Sequence, residues 1–318
     1  MPELIEHWTD AEILAARGAK NAVDPFVPWA FLVEPERSAA GEVVDVATIF
    51  LTNRECPFRC LFCDLWKNTT DEPVPPGAIA AQIDHALSRL PPARQVKLYN
   101  SGNFFDPRAI PREDYLAIAE RVRQFKNVIV ENHPRMCDEA CLQFRDLLDT
   151  GFEIALGLET VHHRVLPALN KRMTVRDFDR AAALLRNAGI AVRAFILLKP
   201  PLIPDESQAI ELALASIEHA FAAGAECCSV IPTRAGNGIM EQLAVQGQFA
   251  PPQLASLERV LEAGIRLARG RVFVDLWDAV KLSGACAACR TARIERLRQM
   301  NLSQELLPPV ACPCGGSA

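Results

Sequence analysis

The sequence predicts an α/β fold: a partial (β/α)6 TIM-like barrel on a parallel sheet, with a short N-terminal arm and a small C-terminal cysteine-rich metal-binding appendage. Three observations carry this. From residue 43 short apolar runs alternate with longer stretches of helical period, the pattern of repeated strand–helix units. Gly151 and Gly189 stand where a helix should stop before the next strand. The 11 cysteines are clustered, and the last four fall where the helical period is lost.

The elements follow in order. Residues 1–42 form the arm, with an amphipathic stretch at 10–17 and then a proline-containing segment. The barrel, 43–281, has strands expected at 43–51, 95–100, 127–131, 152–158, 191–198 and 227–231, and a seventh at 272–276. Helices are expected between them at 77–90, 112–124, 138–148, 175–187, 206–223 and 252–268. Residues 282–318 lose the period and form the appendage. In such a barrel the residues that do chemistry gather at the C-terminal ends of the strands.

Half of the 318 residues are apolar, so the chain can bury a substantial core. No apolar run approaches the length of a bilayer span, and no basic-then-apolar leader opens the chain, so a cytoplasmic protein without a membrane partner is expected. The net charge of −5 gives no reason to expect DNA or other non-specific nucleic-acid binding. Without a secretory signal, clustered cysteines point to metal or redox chemistry and away from disulfides.

After the first barrel strand comes the run Cys56-Pro57-Phe58-Arg59-Cys60-Leu61-Phe62-Cys63, a C-x3-C-x2-C spacing in a loop. Three thiolates at this spacing suit a [4Fe–4S] cluster and leave one iron without a protein ligand. That iron can be chelated by the amino and carboxylate groups of S-adenosylmethionine. The competing readings are a zinc site, which normally wants a fourth ligand and a C-x2-C knuckle, or buried structural cysteines.

This loop, with aromatic Phe62 before the third cysteine, resembles the signature of the radical S-adenosylmethionine superfamily. The resemblance implies a partial barrel, a cluster on Cys56, Cys60 and Cys63, and a 5′-deoxyadenosyl radical that takes hydrogen from a substrate. It also implies that Phe62 lies beside the adenine.

The second strand ends in Asn100-Ser101-Gly102-Asn103, where the superfamily carries a glycine-rich stretch against the methionine amino group. Here only Gly102 keeps that character, and an ordinary turn is the plain alternative. Glu131 and Glu159 stand at the ends of the third and fourth strands, where a carboxylate can accept hydrogen bonds from ribose hydroxyls. Both are similar to polar positions in the anaerobic coproporphyrinogen oxidase and Elongator-like branches. Downstream, Leu169-Asn170-Lys171-Arg172-Met173 resembles the element of those branches in which a cation meets the methionine carboxylate. Lys171 and Arg172 both qualify, one as a point charge and the other as a fork. Arg193, near the start of the fifth strand, is counted with the cofactor-binding residues.

Gly236-Asn237-Gly238 reads as a turn first and an anion site second. Cys137 and Cys141 fall on one helix face and are expected to pack, and Cys227 and Cys228 point to opposite sides of a strand. His133, His162 and His163 lie near the expected mouth without a spacing that identifies a base. The pairs Cys286/Cys289 and Cys312/Cys314 supply four thiolates for a structural zinc, or equally an auxiliary Fe–S cluster. Arg290, Arg293, Arg296 and Arg298 between them read as a phosphate-contacting patch or as a solvated helix face.

The run from Asn53 to Thr69, with Gly157-Leu158-Glu159-Thr160 and the segment 169–173, resembles the Elongator-like subgroup, and within it the radical subunit of archaeosine synthase and its bacterial relatives. That resemblance implies a modified deazaguanine in tRNA as substrate. A free nucleoside, a small metabolite or a peptide stays open, since no RNA-binding domain is recognisable. An external electron donor such as flavodoxin or ferredoxin is expected. The reading from a different class is a non-catalytic, zinc-stabilised RNA-binding protein.

Overall fold

The computed structural model describes residues 7–312 and 314. The chain opens with α1 (Asp10–Ala15), β1 (Ala30–Arg37), β2 (Val43–Phe50), α2 (Ala78–Leu87), β3 (Gln95–Tyr99), α3 (Tyr115–Val122), β4 (Asn127–Asn132) and α4 (Glu139–Asp146). It continues with β5 (Gly151–Glu159), α5 (Val165–Ala168), α6 (Val175–Asn187), β6 (Ala191–Leu198), α7 (Glu206–Ala223) and β7 (Cys227–Pro232). The last elements are α8 (Ile239–Val245), α9 (Leu254–Arg266), β8 (Arg271–Val274) and α10 (Ala287–Ser303). The eight strands form one sheet in strict chain order, with β2 to β8 parallel and β1 antiparallel at the edge. Parallel neighbours in sequence order require right-handed crossovers, which put every connecting helix on one face and curl the sheet with the other face inward. No helix among the described residues is long and apolar enough to cross a membrane.

Alternation along each strand sorts the two faces. Ile49, Leu98, Val130, Leu156, Ile196 and Val230 face the helices and are fully buried with Ile83, Phe144, Phe178 and Leu257. The intervening residues line the concave side. There the lower half is charged, because Lys97, Glu153, Arg193 and Arg271 all come early in their strands. Arg193 Nε lies 2.5 Å from Glu153 and its Nη2 2.7 Å from Glu36, while Lys97 Nζ lies 2.5 Å from Glu36 and Arg271 3.4 Å from Glu153. Burial alone would raise the Glu36 carboxyl, but the charges of Arg193 and Lys97 win and hold it well below the ordinary range. This ionic plug fills the base of the barrel.

Arg193, expected among the cofactor-binding residues, is engaged in this plug. It is 2% exposed, lies three residues into β6, and spends its guanidinium on two carboxylates at the end of the barrel opposite the cysteine loop.

The short helices α5 and α8 are additions to the expected set, and two further elements differ more. β1 adds an antiparallel strand that the proline at 35 and the charges at 34, 36 and 37 disguise. Pro35 is tolerated because β1 is an edge strand, and Glu34 and Glu36 face the plug. The other is α10, a 17-residue helix within 282–318, where loss of period suggests no long helix. It lies across the free edge of β8. Asn301 pairs with both the N–H and the C=O of Val274 (3.0 and 2.9 Å), and Gln304 does the same for Val272 (2.8 and 2.9 Å). Two side-chain amides thus replace the missing neighbour strand. Such capping hides an edge that would otherwise invite pairing with another chain.

Candidate active site

The cysteine loop leaves β2 at the C-terminal end of the sheet and is tied down from three directions. Leu61 N–H donates to Leu169 O (2.8 Å), Asn170 Nδ2 to Arg59 O (2.8 Å), and Asn237 Nδ2 to Leu61 O (2.7 Å) and Cys63 O (3.2 Å). Leu61 is buried with Ile13, Ile239, Met240, Leu243 and Phe249, and Phe62 packs between this cluster and the main core. The loop is thus fixed by residues that follow α5, residues between β7 and the end of α8, and the N-terminal segment.

Cys56, Cys60 and Cys63 are free and partly accessible at their surfaces. The surrounding protein pushes all three thiols up, that of Cys63 to about 12, because burial disfavours the thiolate. A cationic metal centre reverses that preference. Among the described residues, the group whose metal-binding atoms all lie within 4.8 Å of one another is the C-terminal set, Cys286, Cys289, Cys312 and Cys314, and not this triad. Three thiols in one loop at the C-x3-C-x2-C spacing fit a cluster that gives each its own iron.

The turn after β3 comes against the first cysteine. Asn103 Nδ2 lies 3.2 Å from Cys56 Sγ, and a Cβ on Gly102 would lie 3.4 Å from Cys56 Cβ, so a larger residue at Gly102 would crowd the thiol. Asn100 N–H donates to Glu131 Oε1 at 2.7 Å. The Asn100 side chain is fully buried with neither amide atom paired, the signature of a polar group awaiting a partner.

Glu131 is pushed up to about 7, burial outweighing the backbone N–H groups of Asn100, Gly102 and Ser101 that favour its charge. A carboxyl raised on folding binds its proton more tightly in the native chain. Its contribution is complete below the ordinary 4.5 and is lost as pH rises towards 7. Glu131→Gln should therefore flatten the decline of Tm across that window. An undiminished slope in scanning calorimetry would show that Glu131 does not titrate there.

The end of β5 carries the second carboxylate. Glu159 follows a register shift and adopts φ 64°. Its partner is Lys171, and both are buried. Gly157 faces this pair so closely that a Cβ there would lie 1.9 Å from Lys171 Nζ and 2.2 Å from Glu159 Oε1. Ser101, Asn170, Arg172 and Lys199, all on loops at the C-terminal ends of strands, share the left-handed backbone. Strain of about 1–3 kcal/mol at each such residue persists only where surrounding structure holds it.

Of the two cations offered by the sequence, the structure brings in Lys171 and leaves Arg172 out. Arg172 is half exposed and paired with Asp10. Lys171 lies close enough to Cys56, Cys60 and Glu131 to lower each of them by its charge.

Sequence reasoning missed the role of His133. Its Nε2 bonds Lys171 O (2.9 Å), its Nδ1 accepts from Arg135 N–H (3.1 Å), and its ring stacks on Phe58 of the cysteine loop at 3.9 Å. Burial first, then Lys171, pulls its pKa down to about 3, so it works as a neutral spacer between the two loops. Asn237 was similarly hidden inside Gly236-Asn237-Gly238. That segment holds no anion nest: Gly238 N–H donates to Glu241, and a Cβ on Gly238 would collide with Ala16 O at 1.8 Å.

The arginine run is not an open phosphate patch. Arg290 bonds the carbonyls of Val280, Leu282 and Ala285, Arg293 is fully buried on Glu258, and Arg296 on Glu262 and two carbonyls. Only Arg298 of the four is on the surface, paired with Glu295. Cys141, Cys227 and Cys228 are buried among apolar neighbours or beside the plug, away from the loop.

Comparison with known proteins follows from this geometry. Residues 50–231, more than half of the chain, match the family model of the radical SAM superfamily. Archaeosine synthase subunit beta of Methanosarcina acetivorans is 31% identical over 271 residues, covering 80% of this chain and 77% of the relative. Its namesake from Thermococcus kodakarensis is 29% identical over 194 residues, covering 58% and 59%. Among solved structures, an N-terminally deleted Elp3 of Methanocaldococcus infernus matches with TM-score 0.50 at 14% identity, covering 70% of this chain and 58% of that one. SuiB of Streptococcus suis matches with TM-score 0.50 at 13% identity, covering 72% and 48%. The chain thus spans about half to three-fifths of those structures, and at such identities the likeness is one of fold. With the family model over more than half its length and a relative above 30% identity along most of it, the chain belongs to the radical SAM superfamily, as an S-adenosylmethionine-dependent iron–sulfur enzyme related to archaeosine synthase subunit beta.

Proposed function

We propose that Cys56, Cys60 and Cys63 hold the [4Fe–4S] cluster, that S-adenosylmethionine sits between it and the Glu159–Lys171 pair, and that the substrate is a modified nucleoside in tRNA. A cluster held by Cys56, Cys60 and Cys63 would supply, once reduced by an external donor, the single electron needed for reductive cleavage of S-adenosylmethionine to methionine and a 5′-deoxyadenosyl radical. The chain's own residues bind and orient. Lys171, steadied by Glu159, sets the methionine carboxylate by charge. Glu131 and Glu159 accept from ribose hydroxyls, and the turn 100–103 supplies backbone and amide groups to the amino end. Phe62 supplies the apolar wall for the adenine. The carrying observation is the meeting of three free thiols, the Gly102 turn and the buried Glu159–Lys171 pair at one mouth, the pair seated directly over Gly157.

A tRNA substrate is supported by the archaeosine synthase relatives, whose name as a subunit also favours a partner chain that supplies RNA contacts. A partner would supply RNA contacts that the buried arginines Arg293 and Arg296, spent on internal ion pairs, do not. Flavodoxin or ferredoxin is the proposed electron donor. The non-catalytic zinc reading is disfavoured by the match of residues 50–231 to the radical SAM superfamily.

The test uses reduced, anaerobically reconstituted chain with S-adenosylmethionine and tRNA from cells grown in deuterated medium. Deuterium is expected in 5′-deoxyadenosine when tRNA is the labelled fraction. Label arriving only from the small-metabolite or peptide fraction would move the substrate to that class.

A further inference from the structure

The four C-terminal cysteines come from two chain segments and meet at one point. Cys286 is the residue before α10 and Cys289 lies in its first turn, whereas Cys312 and Cys314 arrive on the segment that returns along the helix. Their sulfurs are 3.6 Å (Cys286–Cys289), 3.5 Å (Cys286–Cys312) and 3.7 Å (Cys289–Cys314) apart, and all four lie within 4.8 Å of one another. These separations identify the occupant by size. A disulfide requires about 2.05 Å between sulfurs. A tetrahedral ion with metal–sulfur bonds of about 2.3 Å places its sulfurs about 3.8 Å apart. A cubane binds each thiolate to a different iron and spreads all four well beyond contact, and a two-iron cluster spreads its two pairs.

We infer that Cys286, Cys289, Cys312 and Cys314 form a closed tetrathiolate site for one zinc ion, which staples the C-terminal segment to α10 and so holds that helix across the free edge of β8. Four thiolates fill the coordination of a tetrahedral d10 ion and leave no open position for substrate, as in structural zinc sites. What the staple secures is visible in the hydrogen bonds. Arg296 reaches the carbonyls of Leu307 and Pro308 on the returning segment, Arg293 binds Gly284 O just before Cys286, and at the far end of the helix Asn301 and Gln304 occupy the β8 edge. Both ends of the segment are thus anchored to one helix, and the ion closes the ring. The site lies outside the radical chemistry and stands whether or not the proposed function holds.

Air-free chain should contain about one zinc in addition to about four irons. Cys286→Ser/Cys289→Ser should lose the zinc, keep the iron, and show a lower Tm with faster aggregation as the β8 edge is uncovered. The combined Cys56→Ala/Cys60→Ala/Cys63→Ala variant should lose iron and keep zinc. Because the paired variant can misfold, cobalt(II)-substituted parent chain and the single variant Cys314→Ser provide a second reading. The parent should show the visible bands of tetrahedral thiolate coordination, and Cys314→Ser should weaken them. Iron that disappears with Cys286 and Cys289, zinc that survives their replacement, or cobalt bands of six-coordinate oxygen ligation would each overturn the assignment.

Discussion

Replacing any one of Cys56, Cys60 or Cys63 by alanine should reduce 5′-deoxyadenosine formation to background, with loss of most of the iron and no loss of the C-terminal zinc. The three thiols stand in one loop whose backbone is held by Leu169, Asn170 and Asn237, so an alanine removes a ligand without freeing the loop. Burial makes each thiolate costly without a metal, so a two-ligand remnant has little to retain iron. The measurement is anaerobic iron analysis with chromatography of the nucleoside product. A cysteine variant that keeps cleaving S-adenosylmethionine would remove the loop from the mechanism. A graded contrast refines it. Lys171→Met should weaken S-adenosylmethionine binding about 10- to 100-fold, the value of a charge-assisted hydrogen bond, whereas Arg172→Met should change it less than about threefold. Equal effects would show that the methionine carboxylate does not choose between them.

The second large effect is on stability. Arg193→Met should cost about 3–5 kcal/mol, because it leaves the buried carboxylates of Glu153 and Glu36 without their main counter-charge. Denaturant titration reads the loss as a shift of the midpoint at unchanged slope. The folded fraction of the variant should still bind S-adenosylmethionine as the parent does, since the plug occupies the end of the barrel away from the cysteine loop. Lost binding at undiminished stability would return Arg193 to the cofactor site. Replacing Arg193 and Glu153 together by methionine and leucine should recover part of the loss, as apolar pairs of similar volume often match a buried ion pair.

The barrel was legible because its strands obey the period of two and its helices that of 3.6. The strand at 191–198 and the helices at 175–187 and 206–223 stand in the structure with the boundaries expected of them. Where the expectation failed, charge was buried. Glu36 in β1, and Arg293 and Arg296 in α10, look like solvated positions in a linear pattern, yet each faces an opposite charge distant in sequence. Hydrophobic periodicity cannot register a helix face made of buried arginines. Arg193 is hard to place from sequence for a related reason: a polar residue on the concave side lies at the mouth or in the plug according to its position in the strand, and position three of β6 lies in the plug. Cysteine spacing marked both metal-type sites, but the choice between Lys171 and Arg172 needed coordinates, since adjacent residues differ only in which way the backbone turns.

The N-terminal segment lies over the cysteine loop through partners that are all made later. Ile13 packs on Leu61, Ile239 and Phe249, Asp10 bonds Asn170 at 2.8 Å, and Arg17 reaches Glu55 at 2.7 Å and sits over the Trp66 ring. Residues 10–17 thus find their seat only after distant parts of the chain are in place, because contacts of long sequence separation wait for the chain between them. Ordering of residues 10–17 over the cysteine loop is in this sense a closing event of folding.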